Sequence, residues 1–204
     1  VENAPTSWAD IKDGDYTVAL GDINGGNAQA AVIASAYAFG GDLNNLDPAF
    51  EFWTQMAEDG RINTLDILQQ NFETGEIPVG VIWSFTAIPY KDQITKYKLQ
   101  ANIPTDGSIM SGYASVINKY APHPCAAALA REYIFSDEGQ ANLAAAGAIP
   151  TRTDVEIPDD IQNATFKSED YANAIPMEDT DAYTKACETV VERWQEEITP
   201  LLVQ

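Results

Sequence analysis

The first half of the chain alternates short apolar runs with segments of helical period, and this alternation constrains the fold more than any other feature. Residues 16–20 predict a short buried strand, and the glycine-rich loop 21–26 leads from it into a predicted helix over residues 27–39. The almost uninterrupted apolar run 77–83 is typical of a central strand covered on both faces. Strands that alternate with helices of this length predict βαβ crossovers and a mostly parallel sheet.

Periodicity and capping residues predict the remaining elements. Further helices are expected over residues 49–59, 65–73, 124–135, 137–146 and 181–198, and further strands over residues 97–103 and 113–117. Pro48 suits the first helical position of the first of these helices, and Thr64 and Ser136 suit the N-caps of two others. Residues 150–175 are expected to be polar and irregular. The turn-forming stretch 103–108 separates an α/β segment from a helix-rich segment whose single strand cannot form a sheet alone.

The charge balance decides which partners are open to such a chain. Eleven Lys and Arg residues against 31 Asp and Glu residues give a net charge of −20, which excludes nucleic acids and anionic membrane surfaces as partners. An apolar fraction of 45% is nevertheless typical of globular proteins, so the chain is expected to bury a sizeable core. No window approaches 18 consecutive apolar residues, and we therefore expect no membrane-spanning segment.

Few residues offer covalent chemistry or metal binding. His123 is the only histidine, and its position before a predicted helix is typical of a solvated loop residue. Cys125 and Cys187 are compatible either with one disulfide or with two free thiols. Neither is expected to be activated, because Cys187 lies on an apolar stripe, where burial raises the pKa of a thiol, and Cys125 has no obvious basic partner in sequence. One histidine and two distant cysteines do not form a zinc-ligand set, and no Walker-type tripeptide is present. These observations make an enzyme the weaker class, and no cofactor or metal is expected.

Two loops remain as candidates for ligand binding. The loop 21–27 allows close approach of the backbone to a ligand, and it leads into a helix N-terminus that favours anionic or polar oxygen groups. Residues 83–86 follow a predicted strand, and ligands of open α/β sheets bind outside the carboxyl ends of strands. A tight turn and a core tryptophan explain the same residues without a ligand, so both interpretations stay open at this point.

Several stretches resemble the extracytoplasmic solute-binding proteins of ABC importers, in the family 1 branch that contains iron, polyamine, thiamine and phosphonate binders. They are SWADI (7–11), VALGD (18–22), GEIPVGVIW (75–83), IPTDGS (103–108), and NKYAPHP (118–124) followed by FSDEGQ (135–140). The last pair is the most specific, because helix capping alone does not require both motifs at this distance. The resemblance covers essentially the whole chain.

The resemblance implies a periplasmic binding protein-like α/β fold of type II, in which solute binds in the cleft between two lobes. Residues 1–103 would form one complete lobe, residues 104–108 a hinge, and residues 109–204 the C-terminal helical part of the other lobe. The N-terminal portion of the family is then expected to be missing from this sequence, and with it a signal or lipid anchor. The implied location is periplasmic or extracellular, and the implied partners are a small-molecule solute and ABC permease subunits.

Nine residues are expected to contact the solute: Asp22, Asn24, Gly25, Gly26, Asn27, Trp83, Ser84, Asp106 and Tyr113. Trp83 and Tyr113 with the two aspartates suit a polyamine or another cationic or zwitterionic molecule, which is the preferred ligand class. The glycine-rich helix N-terminus suits a phosphonate or sulfate instead, and single tyrosines such as Tyr113 and Tyr120 leave ferric iron as a further alternative. An enzyme, such as a transferase that uses the same cleft, and a protein-interaction module are the rival classes.

Overall fold

The computed structural model describes residues 3–202 as a mixture of helices and small parallel sheets. In chain order the elements are α1 (Trp8–Asp13), β1 (Val18–Ala19), α2 (Gly26–Ala38), α3 (Asp47–Glu58), β2 (Ile62–Asn63), α4 (Gln69–Thr74), β3 (Val79–Gly80), α5 (Ser84–Gln93), β4 (Ser108–Met110), α6 (Pro124–Ile134), α7 (Asp137–Ala145), α8 (Asp159–Ala164), β5 (Ala174–Pro176), α9 (Thr180–Arg193) and α10 (Thr199–Leu202). A 3₁₀ turn over Ser168–Tyr171 precedes β5, and one turn of π-helix over Trp194–Ile198 joins α9 to α10. Within residues 3–202, no helix combines the length and apolar character that a membrane crossing requires.

Both sheets are parallel, as the alternation of strands and helices predicts. The first has the strand order β2-β1-β3, so the central strand is β1. Its Val18 pairs with Ile62 on one side and with Val79 on the other. The second sheet consists of β4 and β5, which pair through Ile109 and Ile175. These parallel pairings confirm the α/β class of the chain.

The main core lies between α2, α3 and the C-terminal helices. Trp53 is fully buried and its ring packs against the rings of Trp8, Phe52 and Trp194 at centroid distances of 4.7–6.1 Å. Val190 and Ile198 join the same cluster, so the end of the chain packs against residues from its beginning. The division into lobes at residues 104–108 stays a prediction. Buried residues of α9 belong to the core that residues 8–57 form, and Leu201 and Leu202 of α10 pack against it.

Of the helix predictions that rested on local capping signals, those for Ser136 and Pro48 are confirmed. The Ser136 side chain accepts a hydrogen bond from the Gly139 N–H and begins α7, and Pro48 lies in the first turn of α3. Helix α2 begins one residue before its predicted start and ends before Gly40, whose φ of 89° is left-handed. The prediction for Thr64 is wrong. The Asn63 side chain accepts from the Leu65 N–H to form a turn, and α4 begins only at Gln69.

Most of the predicted strands are shorter than expected or absent. Residues 97–103 and 113–117 form no strand, because within the described chain neither segment has a strand beside it with which to pair. The apolar run 77–83 contributes only two residues to β3, which lies at an edge of its sheet and not at the centre. Pro78 lacks an N–H for a ladder, which limits the strand on its N-terminal side. The segment predicted as irregular contains α8 and β5, and β5 supplies the partner that β4 needs.

Candidate functional site

The loops that follow β1 and β3 meet at the carboxyl edge of the three-stranded sheet, and Asn27 joins them. Its side-chain amide donates to the Leu20 carbonyl oxygen at 3.2 Å and to the Val81 carbonyl oxygen at 2.7 Å. Val81 in turn donates its N–H to the Ala19 carbonyl oxygen at 2.9 Å. These bonds hold the start of α2 beside the residues that lead into α5, which is the arrangement of ligand sites in open α/β sheets.

The N-termini of α2 and α5 lie at this edge without side-chain caps. Gly25 and Trp83 occupy the two N-cap positions, and no side chain of residues 3–202 accepts a hydrogen bond from either first turn. Gly25 and Gly26 are exposed, so the backbone N–H groups of α2 are reachable from solvent. Two helix N-termini therefore present positive partial charge at one place.

Asp22 and Asn24 form a turn between β1 and α2. One carboxylate oxygen of Asp22 accepts from the Asn24 backbone N–H at 3.0 Å and from its side-chain amide at 2.9 Å. The backbone bond, and then the side-chain bond, lower the pKa of Asp22 below its ordinary value of 3.8. Asp22 is exposed and stays ionised at neutral pH, with its other oxygen available to a cationic partner.

Aromatic side chains from distant parts of the chain lie against Ser84 and Phe85, in the first turn of α5. The Tyr113 ring stands edge-on to the ring of Phe85 with centroids 5.9 Å apart, and 84% of its surface is exposed. Tyr171 comes from the 3₁₀ turn before β5 and lies beside Ser84, and burial raises the pKa of its hydroxyl while Ser84 lowers it. Phe85 lies within the candidate loop 83–86 but is not among the nine expected contacts, and the sequence analysis did not identify Tyr171. Phe85 follows two predicted site residues directly, whereas no local pattern indicates that Tyr171 reaches α5.

Asp106 bonds to the start of α1 and not to any of the other eight predicted site residues. Its two carboxylate oxygens accept from the backbone N–H groups of Trp8 at 2.9 Å and Ala9 at 3.0 Å. These bonds give partners to two backbone N–H groups in the first turn of α1, so Asp106 stabilises the start of that helix. The other residues come together: Asp22, Asn24, Gly25, Gly26 and Asn27 before and within the start of α2, Trp83 and Ser84 at the start of α5, and Tyr113 against Phe85.

The other candidate groups lie apart from this edge. His123 is the exposed N-cap residue of α6, and both cysteines are free thiols, Cys125 exposed and Cys187 half-buried. Among residues 3–202, no cluster of three or more His, Cys, Asp or Glu side chains is arranged to hold a metal ion. A hollow of about 410 Å³, lined by Lys12, Phe39 and Met56 among others, lies between α1 and α3. It contains none of the predicted site residues, so we do not assign the solute to it.

A family model described as bacterial extracellular solute-binding protein matches residues 1–175. A search of curated proteins gave no match. The family consists of non-enzymatic proteins that act outside the cytoplasmic membrane, in the periplasm or the extracellular space. The match covers more than half of the chain and includes every residue that meets at the carboxyl edge of the sheet. The chain therefore belongs to the bacterial extracellular solute-binding proteins, which bind a small molecule and deliver it to the permease of an ABC importer.

Proposed function

We propose that this protein captures a zwitterionic solute, one that carries an amine together with a carboxylate or phosphonate, at the carboxyl edge of the three-stranded sheet. The observation that carries the proposal is the meeting of two uncapped helix N-termini beside the exposed carboxylate of Asp22 and the exposed ring of Tyr113. The first turns of α2 and α5 would receive the anionic group of the solute. Asp22 and the faces of Trp83 and Tyr113 would receive its ammonium group.

The contacts of Asp106 favour a zwitterion over a polyamine. A polyamine was expected to pair with both Asp22 and Asp106, but the oxygens of Asp106 already accept from α1. One carboxylate is then left at the edge, which suits a single ammonium group, while the helix N-termini oppose a second one. Ferric iron is not favoured either, because Tyr113 and Tyr120 are each 84% exposed, and residues 3–202 contain no cluster of His, Cys, Asp or Glu side chains that would complete a ligand set.

We propose that the part of the chain after residue 108 forms the side of the solute site that faces the sheet edge. Tyr113 and Tyr171 lie in the part of the chain that follows the predicted hinge, and both approach the first turn of α5. We place the solute between these two tyrosines and the sheet edge. Closure of this gap around the solute would produce the form that the permease recognises, and delivery would follow from reopening.

A thermal-shift series with matched probes tests the ligand class. Each zwitterion is compared with analogues that lack one charge: γ-aminobutyrate with butyrate and butylamine, and aminomethylphosphonate with methylphosphonate and methylamine. Putrescine, thiamine and ferric citrate complete the series. A probe at a hundredfold excess over its Kd stabilises the folded state by about 2.7 kcal/mol, which raises the Tm of a chain of this size by about 5–10 °C. Stabilisation by putrescine or by ferric citrate with none by the zwitterions would contradict the proposal.

Two matched pairs of variants then test the site. Tyr113 and Tyr120 are equally exposed, so Tyr120→Ala controls for Tyr113→Ala. Asp42 accepts from the Asn44 N–H as Asp22 accepts from the Asn24 N–H, so Asp42→Asn controls for Asp22→Asn. Calorimetric titration with the stabilising probe should show about 2–5-fold weaker binding for Tyr113→Ala, which is the value of an exposed cation–π contact. Equal losses in the test and control variants would refute the placement of the solute.

A further inference from the structure

The hollow between α1 and α3 has an apolar floor. The rings of Phe39 and Phe52, with centroids 5.0 Å apart, line it together with the Met56 side chain. Phe52 and Met56 are buried, and Phe39 is half-buried at the end of α2. The volume of about 410 Å³ falls within the range of small-molecule sites, about 300–1,000 Å³. Aromatic and thioether groups favour contact with a flat ring, so the floor suits an aromatic ligand.

Arg61 directly precedes β2 and lines the hollow with a guanidinium that the backbone holds in place. Its Nε donates to the Tyr16 carbonyl oxygen at 3.1 Å, and its Nη1 donates to the Lys12 carbonyl oxygen at 3.3 Å. Its Nη2 donates to the Ile11 carbonyl oxygen. Since a guanidinium carries five N–H donors, two N–H groups remain for another acceptor. The fixed position of Arg61 means that binding to it would cost little side-chain entropy.

Lys12 supplies a second cation to the hollow. Its side chain is exposed, and its ammonium group lies 5.0 Å from the centroid of the Phe39 ring. Within residues 3–202, the ion pairs belong to Arg152 and Arg193, so neither Lys12 nor Arg61 is paired with a carboxylate. In a chain with 11 basic and 31 acidic residues, the hollow therefore combines two cations that the acids of the described chain leave unpaired. Their charge attracts anions to this place.

Glu51 limits how much negative charge the hollow accepts. It lies in α3, lines the same hollow and is exposed. Two cations and one carboxylate give the lining a net charge of +1, which suits a monoanion and disfavours anions of higher charge. The two remaining N–H groups of Arg61 match the two oxygens of a carboxylate.

We propose that the hollow is a second binding site, which takes a small aromatic monocarboxylate. The ring lies on Phe39, Phe52 and Met56, and the carboxylate bonds to Arg61 and Lys12. None of the residues at the carboxyl edge of the three-stranded sheet lines this hollow, so the site is separate from the one proposed for the solute. The inference goes beyond solute capture and does not depend on it.

Methionine methyl groups can locate the bound ring. The chain contains three methionines, Met56, Met110 and Met177, whose methyl groups are labelled with ¹³C for nuclear magnetic resonance. Phenylacetate should shift the Met56 signal in a saturable way and leave the other two signals unchanged; Met56→Leu assigns that signal. Phenylacetamide lacks the charge and should bind about fivefold more weakly, which is the value of two exposed charge contacts. An unshifted Met56 signal, or equal affinity for phenylacetate and phenylacetamide, would overturn the proposal.

A matched pair of lysine variants tests the cation. The ammonium group of Lys96 lies 5.0 Å from the centroid of the Tyr97 ring, as that of Lys12 does from Phe39, and both lysines are exposed. Lys12→Glu replaces an attraction with a repulsion, so phenylacetate should bind about fivefold more weakly. Lys96→Glu should leave the affinity unchanged. Equal losses would show that the charge of the whole chain acts on the anion, and would overturn the assignment to the hollow.

Glu51→Gln should give a gain of binding, which a damaged fold does not produce. Removal of the carboxylate should strengthen phenylacetate binding about twofold. Glu58 is exposed on the same helix and does not line the hollow, so Glu58→Gln is the control. An unchanged or weaker affinity for Glu51→Gln would contradict the proposal. Excess γ-aminobutyrate, the probe for the sheet edge, should not displace phenylacetate; displacement would refute a separate site, whereas failure of the solute titrations alone would refute only the proposed function.

Discussion

Ser35 and Trp53 form a buried hydrogen bond between α2 and α3 that allows a quantitative test of the core. The Ser35 hydroxyl donates to the Val32 carbonyl oxygen at 2.7 Å and accepts from the Trp53 indole N–H at 3.0 Å. Both residues are fully buried. Ser35→Ala removes the acceptor and leaves the indole N–H without a partner in an apolar core. The Val32 carbonyl oxygen loses the hydroxyl donor but lies inside α2, where the helix backbone supplies a donor.

The expected cost of Ser35→Ala is about 1–3 kcal/mol of unfolding free energy, the penalty for an unsatisfied buried polar group. In a chain of this size, each kcal/mol lowers the Tm by about 2–4 °C. Trp53→Phe removes the N–H itself, so the double variant should lose less stability than the sum of the single variants, by about 1–2 kcal/mol. Urea unfolding followed by far-ultraviolet circular dichroism measures the four states of this cycle without depending on tryptophan fluorescence.

Thr189→Ala serves as the control for this cycle. The Thr189 hydroxyl donates to the Lys185 carbonyl oxygen within α9, as Ser35 does within α2, but it is not an acceptor for a buried donor. Its loss should change stability by less than about 0.5 kcal/mol. Additive losses in the Ser35 and Trp53 cycle, or a cost for Ser35→Ala no larger than that of the control, would refute the account of the buried indole.

Three further outcomes follow from the surface groups. Hydrogen bonds from Thr6 hold the pKa of Asp10 below 3.8. Asp10→Asn should therefore have a lower Tm than the unmodified protein at pH 6, and this difference should disappear as the pH falls through the lowered pKa of Asp10, as paired thermal melts would show. Burial raises the pKa of the Cys187 thiol, so Cys125→Ser should remove the fast phase of thiol titration at pH 8 and leave a slow one. Arg193→Ala should lower the unfolding free energy by about 1 kcal/mol in urea, because it breaks two exposed ion pairs and one cation–π contact.

Local signals predicted the helices well and the strands poorly, for a physical reason. The cap of Ser136 and the first-turn proline of α3 act within four residues, so the sequence contains the whole interaction. A strand instead needs a partner from elsewhere in the chain. The apolar run 77–83 has the composition of a central strand, yet its place at the edge depends on which other segments pair with β1. For the same reason β5 was not predicted: its segment has the composition of a loop, and its partner β4 lies more than 60 residues earlier in the chain.

The candidate site shows the same division between local and distant information. The glycine-rich loop and the residues after the apolar run were identified because each follows a strand in sequence. The bond from Asn27 to Val81 spans 54 residues and joins the two loops, which no local pattern indicates. Asp106 was assigned to the solute because it lies where the chain is expected to cross between the lobes, but its carboxylate bonds to α1 almost a hundred residues away. Only the folded chain shows that this carboxylate already has partners.

The packing of α9 and α10 against α2 and α3 has a consequence for the order in which the protein folds. Arg193 pairs with Asp47 across 146 residues, and Trp194 completes the ring cluster around Trp53. The core of the first helices therefore stays unfinished until residues 186–198 have been synthesised, and contacts of such high sequence separation form slowly.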